Sequence, residues 1–138
     1  MYIFDGAMGT ILQAAGLEEG YCPELFNIER PEVVKDIHAQ YLQHGSDVIT
    51  TNTFGACGLK LEDYDLQDRV REINIAAVKV AKEAIAETKP TARVAGSMGP
   101  TGRFLQPLGN MSFDSIYDTY REQAEALIEG GVDFIIIE

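Results

Sequence analysis

Apolar residues along the chain fall into two alternating patterns: short continuous runs, and longer stretches in which they recur every three or four positions. The continuous runs are Tyr2-Ile3-Phe4, Asp47-Val48-Ile49-Thr50, Arg93-Val94-Ala95-Gly96 and Phe134-Ile135-Ile136-Ile137, spaced about 40 to 46 residues apart. Short runs of this kind predict strands, and the intervals are long enough for helical crossovers. The first intervening helix opens at Pro31, a residue suited to a first helical position. It carries Val34, Ile37 and Tyr41 on one face and stops at Gly45. The second runs from about Asp68 to Ala86, with Val70, Ile73, Ala77, Val80 and Ala84 on its stripe and Pro90 beyond its end. The third shows Ile116, Tyr120, Ala124, Leu127 and Ile128 and ends at Gly130-Gly131.

The order strand, helix, strand, helix, strand, helix, strand predicts an α/β fold with a parallel sheet and right-handed crossovers. The uninterrupted run Phe134 to Ile137 suits a strand buried on both faces. A weak internal repeat agrees. Leu42 to Ile49 and Ile128 to Ile135 each place an apolar residue, then Gly-x-Asp, before a strand, as tight αβ turns do. The pattern alone leaves a doubly wound sheet and a (β/α)8 barrel open. Four strands make about half of a barrel of roughly 250 residues, and no helix follows the fourth, so residues 1–138 are expected to be the N-terminal half of a longer domain.

Composition narrows the function classes. With 46% hydrophobic residues and only 5 prolines the chain can bury a core, and its net charge of −11 argues against nucleic-acid and membrane-surface partners. No apolar run approaches a membrane span and the first residues lack a signal-peptide pattern, so the expected location is cytoplasmic. Cys22 and Cys57 lie far apart without zinc-ligand spacing and are expected to be free thiols.

In parallel α/β folds, ligands sit beyond the carboxyl ends of the strands. Asp5 follows the first run and precedes Gly6-Ala7, an arrangement suited to a zwitterion: carboxylate for an ammonium, backbone amides for a carboxylate. The competing reading makes Asp5 the cap of a short helix starting near Met8. Glu138 ends the fourth run and could share the ammonium; otherwise it is a solvated chain end. Asn52, Thr53 and Phe54 follow the second run with hydrogen-bonding groups and an aromatic wall, or are ordinary turn residues. The glycines from Gly96 to Gly102 lack nucleotide-loop spacing, His44 suits a helix C-terminus, and no Ser, Cys or Asp stands beside a histidine as a triad would require.

Five segments taken together, FDGAMGT (4–10), PELFNIERPEVV (23–34), GSDVITTNTFGA (45–56), GSMGPTGRFLQPLG (96–109) and GGVDFIIIE (130–138), resemble the homocysteine-binding domain of the methionine synthase family. The resemblance implies a (β/α)8 barrel in which homocysteine binds at the carboxyl face. Its thiolate is held there by zinc on three cysteines, and the methyl group arrives from methylcobalamin that methyltetrahydrofolate recharges on further domains. It implies that Asp5 and Glu138 hold the substrate amino group, that the Gly6 and Ala7 amides face its carboxylate, and that Asn52, Thr53 and Phe54 line the pocket. The family's zinc cysteines lie in later Asn-Cys and Gly-Gly-Cys-Cys segments that are absent here. The expectation is therefore part of a homocysteine S-methyltransferase, inactive and metal-free in isolation, that self-associates through its open edges. Betaine- or S-methylmethionine-dependent relatives and a non-catalytic half-barrel module are the alternatives.

Overall fold

The computed structural model describes residues 1–138. Nine named helices and strands follow in order: α1 (Gly9–Ala14), α2 (Phe26–Glu29), α3 (Pro31–Gln43), β1 (Val48–Thr50), α4 (Gly58–Leu61), α5 (Val70–Thr88), β2 (Arg93–Met98), α6 (Phe113–Gly130) and β3 (Phe134–Ile137). The three strands form one parallel sheet in the order β1-β2-β3, with Ile49 opposite Val94 and Gly96 opposite Ile135.

The expected helices appear with small shifts at their ends. Pro31 stands at the start of α3, and Gly45 just beyond it adopts φ +110°, a conformation that side-chain-bearing residues rarely reach. Ser112 caps α6 by accepting the Ser115 amide at 3.1 Å, and Gly131 closes it in the left-handed region. Helix α5 packs between α3 and α6. Its apolar stripe, with Ala81, Ala84 and Ile85, meets Leu42, Ile49 and Val94, while Val78 meets Met98 and Leu127. No helix is long and apolar enough to cross a membrane.

The expected first strand is reduced to a single bridge between Phe4 and Val48. The physical reason lies just past the bridge, where the Thr50 amide, which would continue the ladder to the Asp5 carbonyl, instead goes to the Asp5 Oδ2 at 2.9 Å. In the turn before β1, Ile3 donates its amide to the Asp47 Oδ2 at 3.0 Å, and the Ile3 carbonyl accepts from the Asp47 amide at 2.7 Å. The second Gly-x-Asp segment repeats the device. Val94 donates to the Asp133 Oδ2 at 2.8 Å, and its carbonyl accepts the Asp133 amide at 2.9 Å. The repeat read in the sequence is thus a pair of carboxylate latches, each fastening one turn to the preceding strand.

The first and last segments of the sheet are separated by β1 and β2, so a flat sheet would hold them about 14 Å apart at three strand spacings. The Phe4 and Phe134 rings nonetheless meet edge to face with centroids 6.1 Å apart, so the sheet curls concave on the face that carries them.

Candidate functional site

Every strand exit opens on one cleft of about 750 Å³. Asp5, Gly6, Ala7, Asn52, Thr53, Phe54 and Glu138 all line it, so the residues singled out from sequence come together. Glu24, Thr50, Ser97 and Ile136 also reach it and were not among the expected binding residues. The available signal for Thr50 and Ser97 was their place at the ends of apolar runs. Glu24 carried none, because a glutamate after a proline reads as a helix start.

Each of two carboxylates is held by the neighbouring strand. Asp5 accepts the Thr50 amide at 2.9 Å and the Thr50 hydroxyl at 3.0 Å, while Glu138 accepts the Ser97 hydroxyl at 2.6 Å. Asp5 therefore does not cap α1, whose N-cap is Met8 with no side-chain bond. A carboxylate offers about four lone-pair directions, so both keep acceptors free. Burial pushes the Asp5 carboxyl up to about 6; the Thr50 bonds oppose the shift and the Glu138 charge adds to it. Across the whole cleft the lining holds three carboxylates, Asp5, Glu24 and Glu138, and no Lys, Arg or His.

Beside this negative pole lies a donor pair. Gly6 and Ala7 lie outside any helix or strand, and neither amide donates within the chain. Tyr41 holds their loop in place: its hydroxyl donates to the Ala7 carbonyl at 2.8 Å and would lie 3.1 Å from a Cβ added at Gly6. Phe54 is half exposed and walls the opening. Asn52 and Thr53 face mostly inward. Asn52 donates to the Pro23 carbonyl at 2.9 Å, and the fully buried Thr53 gives its hydroxyl proton to the Ser97 carbonyl at 2.7 Å. Their part in the cleft is to shape its floor.

The cysteines are both free and buried. Burial, reinforced by the Glu24 charge, pushes the Cys22 thiol up to about 12, and burial also raises Cys57. No group of three or more His, Cys, Asp or Glu side chains is placed to hold a metal ion. Thiols disfavoured as thiolates do not suit zinc, which binds the deprotonated form. The donor set of this chain does not fit that ion.

A curled parallel sheet with a concave cleft at its carboxyl ends, carboxylates on one side and free amides on the other, defines an α/β domain. Residues 2–138 match the homocysteine S-methyltransferase family, and the chain belongs to it. It is 41% identical to the methionine synthase of Mycobacterium tuberculosis over an alignment of 144 positions, and 39% identical to that of Mycobacterium leprae. Each alignment takes in 97% of this chain and 12% of the relative. The metallated form of the homocysteine methyltransferase MmuM from Escherichia coli superposes with TM-score 0.81 at 26% identity, covering 99% of this chain and 53% of that one. The oxidized form gives TM-score 0.79 over 51% of its length. The chain thus spans about an eighth of the curated relatives and about half of the solved structures.

Proposed function

We propose that this chain is the amino-acid-recognising half of a (β/α)8 barrel that transfers a methyl group to homocysteine in a methionine synthase type protein. The observation that carries the reading is the cleft with three carboxylates and no cation, because such a site is completed electrostatically by a ligand that brings its own positive charge. Asp5 and Glu138 take the α-ammonium, the Gly6 and Ala7 amides take the α-carboxylate, and Phe54 walls the side chain. The concave curl marked by the Phe4–Phe134 contact supports a barrel, since a flat doubly wound sheet would hold those rings apart.

Zinc, which activates the substrate thiol in this family, finds no ligands in this chain; they belong to the later strands of the barrel. Methylcobalamin and methyltetrahydrofolate belong to further domains of the parent, in keeping with the similarity to mycobacterial methionine synthases. That similarity, at 41%, favours this branch over betaine- or S-methylmethionine-dependent enzymes and over a non-catalytic module. The charge of −11 and the absence of a membrane-spanning helix support a cytoplasmic protein without nucleic-acid or membrane partners.

Titration of the full-length protein with homocysteine and with 4-mercaptobutanoate, which lacks only the amino group, tests the reading. The desamino compound is expected to bind roughly tenfold to hundredfold more weakly, the worth of a charged hydrogen bond. Equal affinity would show that the carboxylates do not read an ammonium.

The isolated chain carries exposed Tyr2, Ile3 and Phe4 at one sheet edge and exposed Ile137 at the other. Unpaired edges and apolar patches drive association. Dimers or larger species are expected in analytical ultracentrifugation at micromolar concentration, and a sharp, stable monomer would refute this.

A further inference from the structure

The loop from Asn52 to Ala56 belongs to no helix or strand, yet its carbonyls are bonded one after another from behind. Asn27 donates to the Asn52 carbonyl at 2.8 Å, Gln123 to the Thr53 carbonyl at 2.8 Å and Asn74 to the Ala56 carbonyl at 2.9 Å. Between them the Gly99 amide donates to the Phe54 carbonyl at 3.0 Å, and the Gly55 amide donates to Glu24 at 2.7 Å. The side chains come from α2, α5 and α6, so three helices grip one loop. Gln123 also donates to Asn74 Oδ1 at 3.3 Å and lies 3.5 Å from the Ser97 carbonyl, next to the hydroxyl that holds Glu138.

Asn27 and Gln123 are buried, at 2% and 0% exposure, and each leaves its side-chain oxygen without a partner. An unsatisfied buried acceptor weakens a fold, and an apolar side chain of the same size would remove it only by stripping a donor from the Asn52 carbonyl or from Asn74 Oδ1. Two such amides, each giving its NH2 group to adjacent carbonyls of the cleft floor, point to a role in fixing that floor. Pre-formed sites depend on supporting residues of this kind, because small displacements of a ligand-contacting wall lower binding.

We propose that Gln123, assisted by Asn27, is a positioning residue for the amino-acid cleft: it fixes the Asn52–Ala56 loop, and with it Phe54, at the cost of an orphaned acceptor in the core. The proposal rests on the homocysteine reading for its ligand but not for its geometry. Gln123→Met keeps the size of the side chain and deletes both donor and orphan, at the cost of the bond to Asn74 Oδ1. In the full-length variant, hydrogen exchange at the Gly55 and Gly99 amides is expected to quicken about tenfold while that of Val94 in β2 stays unchanged, because only the loop loosens. The KM for homocysteine is expected to rise about tenfold with kcat little changed and the Tm lowered by no more than a few degrees, since one unpaired acceptor is exchanged for another. Asn27→Leu provides a second test and should show the same pattern. Unchanged exchange at Gly55 and Gly99, uniform acceleration together with a lower Tm, or faster loop exchange with an unchanged KM would each overturn the proposal. Discrimination against 4-mercaptobutanoate by the wild type separates these failures from failure of the functional reading itself.

Discussion

Asp5→Asn is expected to weaken homocysteine binding by about 1.5 to 3 kcal/mol while making the ligand-free protein more stable at neutral pH. Binding falls because an amide cannot match a carboxylate facing an ammonium. Stability rises because Asp5 is a partly buried charge beside Glu138 with no protein cation to balance it, and its carboxyl stands at about 6 against an ordinary 3.8. A raised carboxyl pKa means that the folded state holds its proton longer than the unfolded state, so the group's contribution is full below pH 3.8 and is lost as pH climbs through about 6. Removing the charge should restore roughly 1–2 kcal/mol at pH 7.5 once partial exposure is allowed for. Asn can keep both Thr50 bonds, since its oxygen accepts from the Thr50 amide and its NH2 donates to the Thr50 hydroxyl. Urea unfolding with and without homocysteine is the measurement. A less stable variant that binds normally per folded molecule would make Asp5 a strand pin with no part in the ligand.

The second large effect belongs to His38, which lies on the buried face of α3 with neither ring nitrogen bonded. Burial alone presses its pKa from 6.5 to about 4. Here the sign is reversed. The unfolded chain takes up the proton first, so the stability associated with neutral His38 is full above pH 6.5 and drains away as pH falls toward 4, by roughly 3 kcal/mol in all. Asp5 gains over nearly the same interval, so the two groups offset one another and the native protein should show a shallow pH dependence between about 6 and 4. His38→Leu exposes the hidden term. It is expected to raise stability by about 1–2 kcal/mol at pH 7.5 by deleting two unsatisfied nitrogens, and to make the protein gain stability on mild acidification where the parent changes little. Denaturant midpoints at pH 7.5 and 5 decide this. A variant weaker than the parent at pH 7.5 would mean that the imidazole is hydrogen-bonded in solution.

The helices were legible because each exposes one face, so a stripe of Val34, Ile37 and Tyr41 or of Ile73, Ala77 and Val80 betrays its period, and Pro31 and Gly131 mark ends by backbone geometry alone. The run Tyr2-Ile3-Phe4 misled for the opposite reason. Apolar content does not reveal whether a neighbour supplies ladder bonds, and here the Asp5 side chain took the Thr50 amide in place of the next rung. Strand β2 extends to Met98, beyond the expected Gly96, because pairing with β3 carries the ladder on. In the site, Asp5, Gly6 and Glu138 could be read from their position at strand ends. Glu24, Asn27 and Gln123 could not, since their partners lie 25 to 70 residues away and nothing local distinguishes a buried amide from one on a solvated helix face.

The two aspartate latches make register a portable property. Asp47 and Asp133 each clasp the amide and carbonyl of one residue on the preceding strand, so a slip by a single position would take that amide from the carboxylate and turn every side chain to the wrong face. β1 and β3 thus each arrive with an address written in the turn before them, and the Lys89 ammonium at the end of α5 steadies the first by holding Asp47 at 2.8 Å. A βα unit grafted from Gly45 or Gly131 onto another parallel sheet is therefore expected to pair in phase only when the Gly-x-Asp turn travels with it.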